Sequence, residues 1–246
     1  MTDQKKIALI TGANKGIGFE TALQLGKQGI TVVVAARDEA KVQQTASTLK
    51  EVGVDVYPLV LDMTRHTDFD HAYQFLESTF GKLDILVNNA GIAESDRWVE
   101  NSSTTVTQDT LHRVFNTNFF GLIALTQKLL PLIRQSPAGR IVNVSSIMGS
   151  LTLHADPASP IYAGKVLAYN ASKAALNLFT IHLAVDLKDT PIKVNSAHPG
   201  WVKTELGTQY APMEIADGAK TSVRLATLPA DGPTGGYYFM KESLPW

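Results

Sequence analysis

The most constraining feature of the chain is the alternation of short, β-branched runs with longer segments of helical character. The runs that we predict as strands are Ile7–Thr11, Thr31–Ala36, Val54–Leu61, Asp84–Asn88, Arg140–Val144, Ile192–Ala197 and Gly236–Met240. The segments that we predict as helices are Gly16–Gln28, Glu39–Val52, His66–Phe80, Gln108–Gln135, Tyr169–Leu187 and Ile215–Leu228. Most of the runs are apolar throughout, as in parallel strands that are buried on both faces. The pattern therefore predicts an α/β fold, a doubly wound, Rossmann-like sheet of seven parallel strands with helices on both faces.

The sequence shows no sign of a domain boundary. It contains no Pro-, Gly- or Ser-rich linker and no internal repeat, so we predict a single domain over residues 1–246. Two long stretches, Ala93–Thr107 and Ile147–Ala168, look irregular. Loops of that length in a compact domain are usually functional.

Composition excludes several classes of protein. Basic and acidic residues nearly balance, with a formal net charge of -1, so no global field attracts nucleic acid or an anionic membrane. Cysteine is absent, which excludes disulfides and thiolate chemistry, and the histidines lack the spacing of a catalytic metal site. The start of the chain lacks the pattern of a signal peptide, and the most apolar later stretch, Leu122–Ile133, is too interrupted to span a bilayer. We therefore expect a cytoplasmic protein without a nucleic-acid or membrane partner.

A glycine-rich loop joins the first predicted strand to the first predicted helix. Its sequence, Gly12-Ala-Asn-Lys-Gly16-Ile-Gly18, lets the backbone approach a ligand closely, and the helix N-terminus offers free N–H groups to a negative charge. This arrangement is typical of a dinucleotide site, with the pyrophosphate on the loop. The spacing differs from the common G-x-G-x-x-G pattern, and a helix-start turn without a ligand is the alternative.

The end of the second predicted strand bears on the choice of cofactor. A site for NAD carries a carboxylate there, whereas this chain has Arg37, with Lys15 in the glycine loop. Two cations favour the 2′-phosphate of NADP(H), and arginine adds a bidentate fork. The alternative is that both are solvated surface charges, with Asp38 paired to Arg37. Asp62, after the third strand, is a candidate partner of the adenine amino group or a plain strand-end aspartate.

A tyrosine and a lysine are spaced to share one face of a helix. Tyr169 and Lys173 are four residues apart, and a neighbouring ammonium lowers the pKa of a phenol. Such a tyrosine can donate a proton to a carbonyl oxygen near neutral pH, or accept one in reverse. Ser146 follows the fifth strand, at the sheet edge where open α/β sheets bind ligands.

A set of short motifs runs along the chain in a particular order. They are Thr11-Gly-x-x-x-Gly-x-Gly18, Asn88-Asn-Ala-Gly91, Asn118, Ser146, Tyr169-x-x-x-Lys173 and Pro199-Gly200. Over essentially its whole length, the chain resembles the short-chain dehydrogenase/reductase family. The stretches GANKGIG, AARD, TNFFG, LLPLI, NVSSIMG and HPGWVKT are similar to the NADPH-dependent carbonyl reductase branch.

The resemblance implies a role for each matching residue. Tyr169 is the general acid/base, Lys173 lowers its pKa and binds the nicotinamide ribose, and Ser146 orients and polarises the carbonyl. Asn118 holds a water that links the lysine to solvent. Further residues that the resemblance places on NADP(H) are Gly12, Asn14, Lys15, Gly16, Ile17 and Gly18 at the phosphates, Asn89, Ala90 and Gly91 along the cofactor, and Pro199, Gly200, Val202 and Thr204 around the nicotinamide.

Two segments near the predicted site bear on substrate access. Ser146 and Tyr169 are 23 residues apart, a wider gap than is usual in the family, so the segment between them affects both the pocket and subunit pairing. A homo-oligomer and a monomer both remain open. The segment from Trp201 to Glu214 is short for a lid, which predicts an open pocket. Candidate wall residues are Trp98, Tyr162, Trp201 and Tyr210.

Together these observations predict an NADPH-dependent carbonyl reductase of ketones or aldehydes, with a small carbonyl or alcohol compound as substrate. Hydride is transferred from the cofactor, and Tyr169 donates the proton. One alternative is an NAD(P)-dependent alcohol or hydroxysteroid dehydrogenase that works mainly in the oxidative direction. Another is a redox sensor that binds NADP(H) without turnover, against which the complete set of Asn118, Ser146, Tyr169 and Lys173 argues.

Overall fold

An eight-stranded sheet forms the centre of the described part of the protein, which is a computed structural model covering residues 5–93 and 101–246. Its strands are β1 (Ile7–Thr11), β2 (Thr31–Ala36), β3 (Val56–Val60), β4 (Ile85–Asn88), β5 (Arg140–Val144), β6 (Lys193–His198), β7 (Tyr237–Phe239) and β8 (Glu242–Ser243). Their order across the sheet is β3-β2-β1-β4-β5-β6-β7-β8. β1 to β7 are parallel, as predicted, and the sheet gains a short eighth strand that is antiparallel to β7. The chain reverses between these two strands at Met240, which has a positive φ of 51°.

Helices lie on both faces of the sheet. They are α1 (Gly16–Lys27), α2 (Glu39–Glu51), α3 (His66–Phe80), α4 (Gln108–Phe115), α5 (Gly121–Ile133), α6 (Leu151–Ala155), α7 (Leu167–Asp186), α8 (Ile215–Gly218) and α9 (Lys220–Ala226). Successive strand residues point to opposite faces, and they divide the core into two apolar clusters. In one cluster α3, α5 and α7 pack on the sheet, a side that we call the α7 face. In the other, α1, α2 and α9 cover the opposite side. The predicted α/β class is therefore confirmed, whereas the single domain stays a prediction.

Three stretches contain structure within them that the sequence did not predict. The predicted helix Gln108–Gln135 is interrupted by one π-helical turn, Asn116–Phe120, between α4 and α5. The predicted helix Ile215–Leu228 is divided at Ala219 into α8 and α9. The stretch Ile147–Ala168 contains a 3-10 turn, Ile147–Gly149, and the short helix α6. The other irregular stretch, Ala93–Thr107, lies partly outside the described residues, and Trp98 lies wholly outside them.

The strand order places the ligand cleft. β1 lies between β2 and β4, so the chain direction across the sheet reverses between β1 and β4. Ligands of open α/β sheets bind at such a switch point, beyond the carboxyl ends of the strands. The loops after β1, β4, β5 and β6 all meet at that edge, and they carry most of the predicted site residues.

A buried polar network lies under this edge on the α7 face. Asn88 donates to Thr126 (3.0 Å) and to Asn143 (2.9 Å). Thr180 accepts from Asn143 and from Ser196, both at 2.8 Å. Because unpaired polar groups are costly inside a protein, these bonds fix the positions of β4, β5 and β6 relative to α5 and α7.

Among the described residues, the structure contains no helix that is long and apolar enough to cross a bilayer.

Candidate active site

The glycine loop packs closely against the end of β4. Gly12 has a positive φ of 63°, and a Cβ on it would come within 2.9 Å of the Ala90 backbone. A Cβ on Gly18 would lie 2.5 Å from the Asn89 side chain, which donates to the carbonyl oxygens of Thr11 (2.8 Å) and Gly12 (3.1 Å). Glycine is thus required at both positions for packing, apart from any contact with a phosphate.

The helix that follows the loop begins without a side-chain cap. Lys15 occupies the N-cap position of α1 and makes no capping bond, and the first turn carries no acidic residue. By contrast, Asp38 caps α2 by accepting from the backbone N–H of Lys41 at 3.0 Å. The N–H groups of the first turn of α1 therefore remain available to a bound anion, which fits the pyrophosphate of a dinucleotide.

Two cations, Lys15 and Lys41, lie near Glu205 in the region where we expect a 2′-phosphate. Lys15 forms an ion pair with Glu205, a residue of the loop after β6. The pKa of Glu205 lies below its usual value, chiefly because of Lys15 and to a smaller extent because of Lys41. Lys41 is therefore near the same spot, and sequence reasoning missed it. Its place in the first turn of the helix that begins just after Arg37 was the available signal.

Arg37 is exposed, and the alternative in which Asp38 pairs with it does not occur. Asp38 instead caps α2 and lies 3.7 Å from the ammonium of Lys41. Asp62 accepts from the backbone N–H (2.9 Å) and the hydroxyl (2.7 Å) of Thr64, which is the contact of a strand-end turn. The pKa of Asp62 is lowered because its hydrogen bonds to Thr64 and the nearby Arg65 and Arg37 outweigh its partial burial.

Ser146 lies at the start of the 3-10 turn after β5. Its hydroxyl accepts from the backbone N–H of Met148 at 3.3 Å, and it lies near enough to the Tyr169 phenol to act on the pKa of that group. Gly149, at the end of the turn, packs on α7, since a Cβ there would lie 2.7 Å from the Lys173 backbone. This close approach sets the distance between the serine and the helix that carries the tyrosine.

Tyr169 and Lys173 share one face of α7, as predicted. The Lys173 ammonium is 5.7 Å from the centre of the Tyr169 ring and donates to the Val144 carbonyl at 2.7 Å. Lys173 is 4% exposed, and burial lowers its pKa to about 8. The predicted effect on Tyr169 is wrong for the protein by itself. Burial raises the pKa of Tyr169, and the nearby Ser146 hydroxyl only partly opposes this.

Asn118 sits in the π-helical turn and is fully buried. Its amide donates to the Ile92 carbonyl (2.9 Å) and to the Ser172 hydroxyl (3.0 Å), and its oxygen accepts from the Ile92 N–H (2.9 Å). A Cβ on Gly91 would lie 3.4 Å from the Asn118 oxygen and 3.6 Å from the Lys173 ammonium. The structure thus brings the Asn118 and Lys173 side chains together beside Gly91.

The loop after β6 reaches back to the glycine loop. Gly200 has a positive φ of 90°, and a bridge between Val202 and Met213 closes the segment. A Cβ on Gly16 would lie 3.4 Å from the Thr204 methyl group. Trp201 and Tyr210 are 56% and 78% exposed, in agreement with an open rim.

His198, at the end of β6, was not among the predicted site residues. Its Nδ1 accepts from the backbone N–H of Ile147 at 3.2 Å and so anchors the turn that carries Ser146. Burial lowers the pKa of His198 to about 4, which keeps the ring neutral and able to accept. Its place directly before Pro199-Gly200 was the only signal in the sequence.

The fold and the catalytic groups define a class of protein, and comparison with known families agrees. The protein-family model that is described as short chain dehydrogenase matches residues 6–215 of the chain. The chain therefore belongs to the short-chain dehydrogenase family, and it is an oxidoreductase that acts on hydroxyl or carbonyl groups.

Individual relatives support this assignment over the whole chain. Short-chain dehydrogenase/reductase 1 of Saponaria officinalis is 34% identical, with 99% of this chain and 97% of the relative covered. Carbonyl reductase [NADPH] 1 of Mus musculus is 32% identical, with both chains covered fully. The solved structure of salutaridine reductase from Papaver somniferum superposes with a TM-score of 0.82 at 31% identity, covering 95% of this chain and 99% of that one.

Proposed function

We propose that the protein is an NADPH-dependent reductase that converts ketones or aldehydes to alcohols. The single observation that carries this proposal is the meeting of Tyr169, Lys173 and Ser146 at the sheet edge beside the glycine loop. The printed name of the mouse relative, a carbonyl reductase that uses NADPH, supports the same reaction and cofactor.

The chain offers a fitting cradle for NADP(H). The uncapped start of α1 fits a pyrophosphate, and Lys15, Arg37 and Lys41 fit a 2′-phosphate. Asn89, Ala90 and Gly91 border the cleft from β4, and Pro199, Gly200, Val202 and Thr204 border it from β6. When bound, the cofactor supplies the hydride. We assign Asn14, Gly16 and Ile17 to the phosphate end, and Asp62 to the turn beside the adenine.

The residues of the chain hold the substrate and move the proton. We assign Ser146 and Tyr169 as two donors to the substrate oxygen, where together they stabilise the negative charge that develops on a carbonyl during reduction. Tyr169 gives its proton to that oxygen. Lys173, fixed by the Val144 carbonyl, places a positive charge near the phenolate that remains. Asn118 orders the region beside Gly91, where we place the water that returns a proton from solvent.

A carbonyl screen tests the proposal. Purified protein is mixed with NADPH or NADH and a panel of ketones and aldehydes, and oxidation of the cofactor is followed by absorbance. We expect turnover that is faster with NADPH than with NADH. If no carbonyl compound is reduced, no alcohol is oxidised with NADP⁺, and NADPH fails to bind, the proposal is wrong. Binding without turnover of any compound would instead favour the redox-sensor alternative.

The remaining assignments follow from the same proposal. We propose a cytoplasmic enzyme whose partner is a small carbonyl or alcohol compound, with residues 1–246 forming one catalytic domain.

A further inference from the structure

A long inserted segment, residues 147–168, separates the catalytic serine from the catalytic tyrosine. It contains the 3-10 turn Ile147–Gly149 and the short helix α6, and it ends where α7 begins at Leu167. Two groups that act on one substrate atom must be held in a fixed arrangement, and a long connection between them needs internal contacts to do so. In this segment a histidine and a lysine, neither of which is used by the proposed reaction, make such contacts.

Met148 connects the catalytic serine to the rest of the inserted segment. Its backbone N–H donates to the Ser146 hydroxyl at 3.3 Å, and its carbonyl oxygen accepts from Nε2 of His154 at 2.9 Å. Its side chain packs on the far end of the segment, since a Cβ on Gly164 would lie 2.6 Å from the terminal carbon of Met148. The position of the Ser146 hydroxyl therefore depends on residues further along the inserted segment.

Lys165 fixes the ring of His154. Its ammonium donates to the His154 carbonyl oxygen at 2.8 Å and lies 3.2 Å from Nδ1 of the ring. An ammonium can only donate and the Met148 carbonyl can only accept, so Nδ1 is the acceptor and Nε2 carries the hydrogen. The same ammonium lies 4.6 Å from the centre of the Tyr162 ring, a cation–π contact that holds it from another side. One orientation and one tautomer of the His154 ring thus satisfy both contacts.

The end of the inserted segment is tied to the helix that carries the tyrosine. The carbonyl oxygen of Gly164, the residue before Lys165, accepts from the side-chain amide of Asn170 at 2.7 Å. Asn170 follows Tyr169 directly in the first turn of α7. The contacts therefore form a continuous path from the turn that carries the serine to the helix that carries the tyrosine.

We propose that His154 and Lys165 form a clamp across the inserted segment and act as positioning residues for the catalytic serine. Through Met148 they hold the Ser146 hydroxyl in the place, relative to α7, that a second donor to the substrate oxygen requires. The contribution of the clamp to turnover rests on the proposed function, whereas its effect on the turn Ile147–Gly149 does not.

Two amide substitutions at position 154 separate the bond to Met148 from a general loss of structure. The amide nitrogen of glutamine lies about as far along the side chain as Nε2 of histidine, so His154→Gln can still donate to Met148. Asparagine reaches only as far as Nδ1, so His154→Asn cannot. His182→Asn, at an exposed histidine of α7, is the matched control. Lys165→Met removes the other half of the clamp, and Lys188→Met, at an exposed lysine beyond α7, is its control.

Each variant is measured with and without turnover. The kcat is measured with NADPH and the carbonyl compound that the screen finds to be reduced fastest, and the Kd of NADPH is measured by fluorescence titration. Hydrogen–deuterium exchange of the free protein, followed by mass spectrometry, gives the protection of the peptide that contains Ile147–Gly149 and needs no substrate. The melting temperature reports global stability.

We expect kcat to fall about tenfold in His154→Asn, as for the loss of one hydrogen bond, and the Kd of NADPH to stay within about twofold of the wild-type value. Exchange in the Ile147–Gly149 peptide should become faster, while exchange in β1, β2 and β3 stays unchanged. His154→Gln should restore kcat and protection to near the wild-type values. The turn keeps its bond to His198, so the protein should remain folded.

Lys165→Met should change kcat and exchange in the same direction as His154→Asn. The double variant should lose little more than the larger single loss, because both substitutions act through one set of contacts. The controls His182→Asn and Lys188→Met should behave as the wild type.

Several results would overturn the proposal. Unchanged exchange in His154→Asn would show that the clamp does not reach the turn, and faster exchange with an unchanged kcat would show that it does not position Ser146. If His154→Gln is as slow as His154→Asn, or if His182→Asn loses as much rate, the bond to Met148 is not responsible. Faster exchange throughout the protein would assign the pair to general stability.

Two further outcomes are covered by the same set of measurements. If the wild type turns over no compound, the proposed function fails, and exchange in the Ile147–Gly149 peptide alone decides whether the clamp holds the turn. If His154→Asn does not fold, Lys165→Met provides the same comparison, and unchanged exchange in that variant would refute the clamp.

Discussion

The two ends of the cleft are built on opposite principles. At the catalytic end, Lys173 is 4% exposed and Asn118 is fully buried. At the phosphate end, the side chains of Lys15 and Glu205 are 60% and 79% exposed. One end is an interior with fixed hydrogen bonds, and the other is a charged surface in contact with solvent.

This difference separates two tasks. Burial dominates at the catalytic end, where it lowers the pKa of Lys173 and raises that of Tyr169, so a single proton or hydroxyl has a large effect. At the phosphate end, water and salt screen each charge, so selectivity must come from several cations acting together. We expect substitutions at the buried end to change rate and those at the exposed end to change the preference between cofactors.

The largest effect should come from Tyr169→Phe. Loss of the phenolic proton removes general acid catalysis, so kcat should fall by about 10³-fold. The Kd of NADPH should change little, because the ring remains. Turnover is measured by NADPH oxidation and affinity by fluorescence titration. Tyr73→Phe on α3 is the control and should behave as the wild type. Equal losses of rate and affinity would contradict the assigned role.

Arg37→Asp should act on cofactor choice instead of rate. It removes a bidentate donor and adds a repulsive charge, so kcat/KM with NADPH should fall by about 10²-fold. The kcat/KM with NADH should stay within a few-fold of the wild-type value. The loss of kcat/KM with NADPH should shrink as the salt concentration is raised. Arg134→Asp, an exposed site at the end of α5, controls for the change in net charge. An unchanged NADPH to NADH ratio would show that Arg37 does not hold the phosphate.

The low pKa of His198, at the catalytic end, predicts that the free energy of unfolding depends on pH. Its pKa is about 4 in the fold and 6.5 as the ordinary value, so below pH 6.5 the unfolded chain binds more protons. Stability should therefore fall as the pH drops from 6.5 to 4. By pH 5 the loss in free energy of unfolding should be about 2 kcal/mol.

A pair of variants isolates this loss. His198→Asn keeps an acceptor near Ile147 but does not titrate, so this variant should not show the acid-dependent loss in free energy of unfolding. His182→Asn, at an exposed histidine of α7, should keep it. Urea unfolding at pH 7 and pH 5 measures both, and an acid-dependent loss of equal size in wild type and His198→Asn would refute the assignment.

Patterns along the chain were sufficient to predict most of the strands and helices. The bounds of β1, β2, β5 and α3 match the prediction at both ends, because the apolar period and the flanking glycines are local signals. The spacing of Tyr169 and Lys173 likewise predicted a shared helix face. These features depend on neighbours within a few residues.

Features that depend on distant partners could not be predicted in the same way. Glu205 meets Lys15 across 190 positions, and Asn88 donates to Asn143 across 55. The direction of the Tyr169 pKa shift was missed because spacing shows which groups are neighbours but does not show how deeply they are buried. Burial is a property of the assembled fold.

The smallest effect, and the finest test of the exposed end, is Glu205→Gln. Glu205 and a 2′-phosphate compete for Lys15, so removing the carboxylate charge should tighten NADPH binding by a few-fold. NADH binding should not change, and the gain should vanish at high salt. Glu214→Gln is the matched control, because Glu214 pairs with Lys203 in the same loop away from the glycine loop. Weaker NADPH binding in Glu205→Gln would mean that the ion pair with Lys15 helps to form the site, and the exposed end would then resemble the catalytic end in depending on a fixed internal contact.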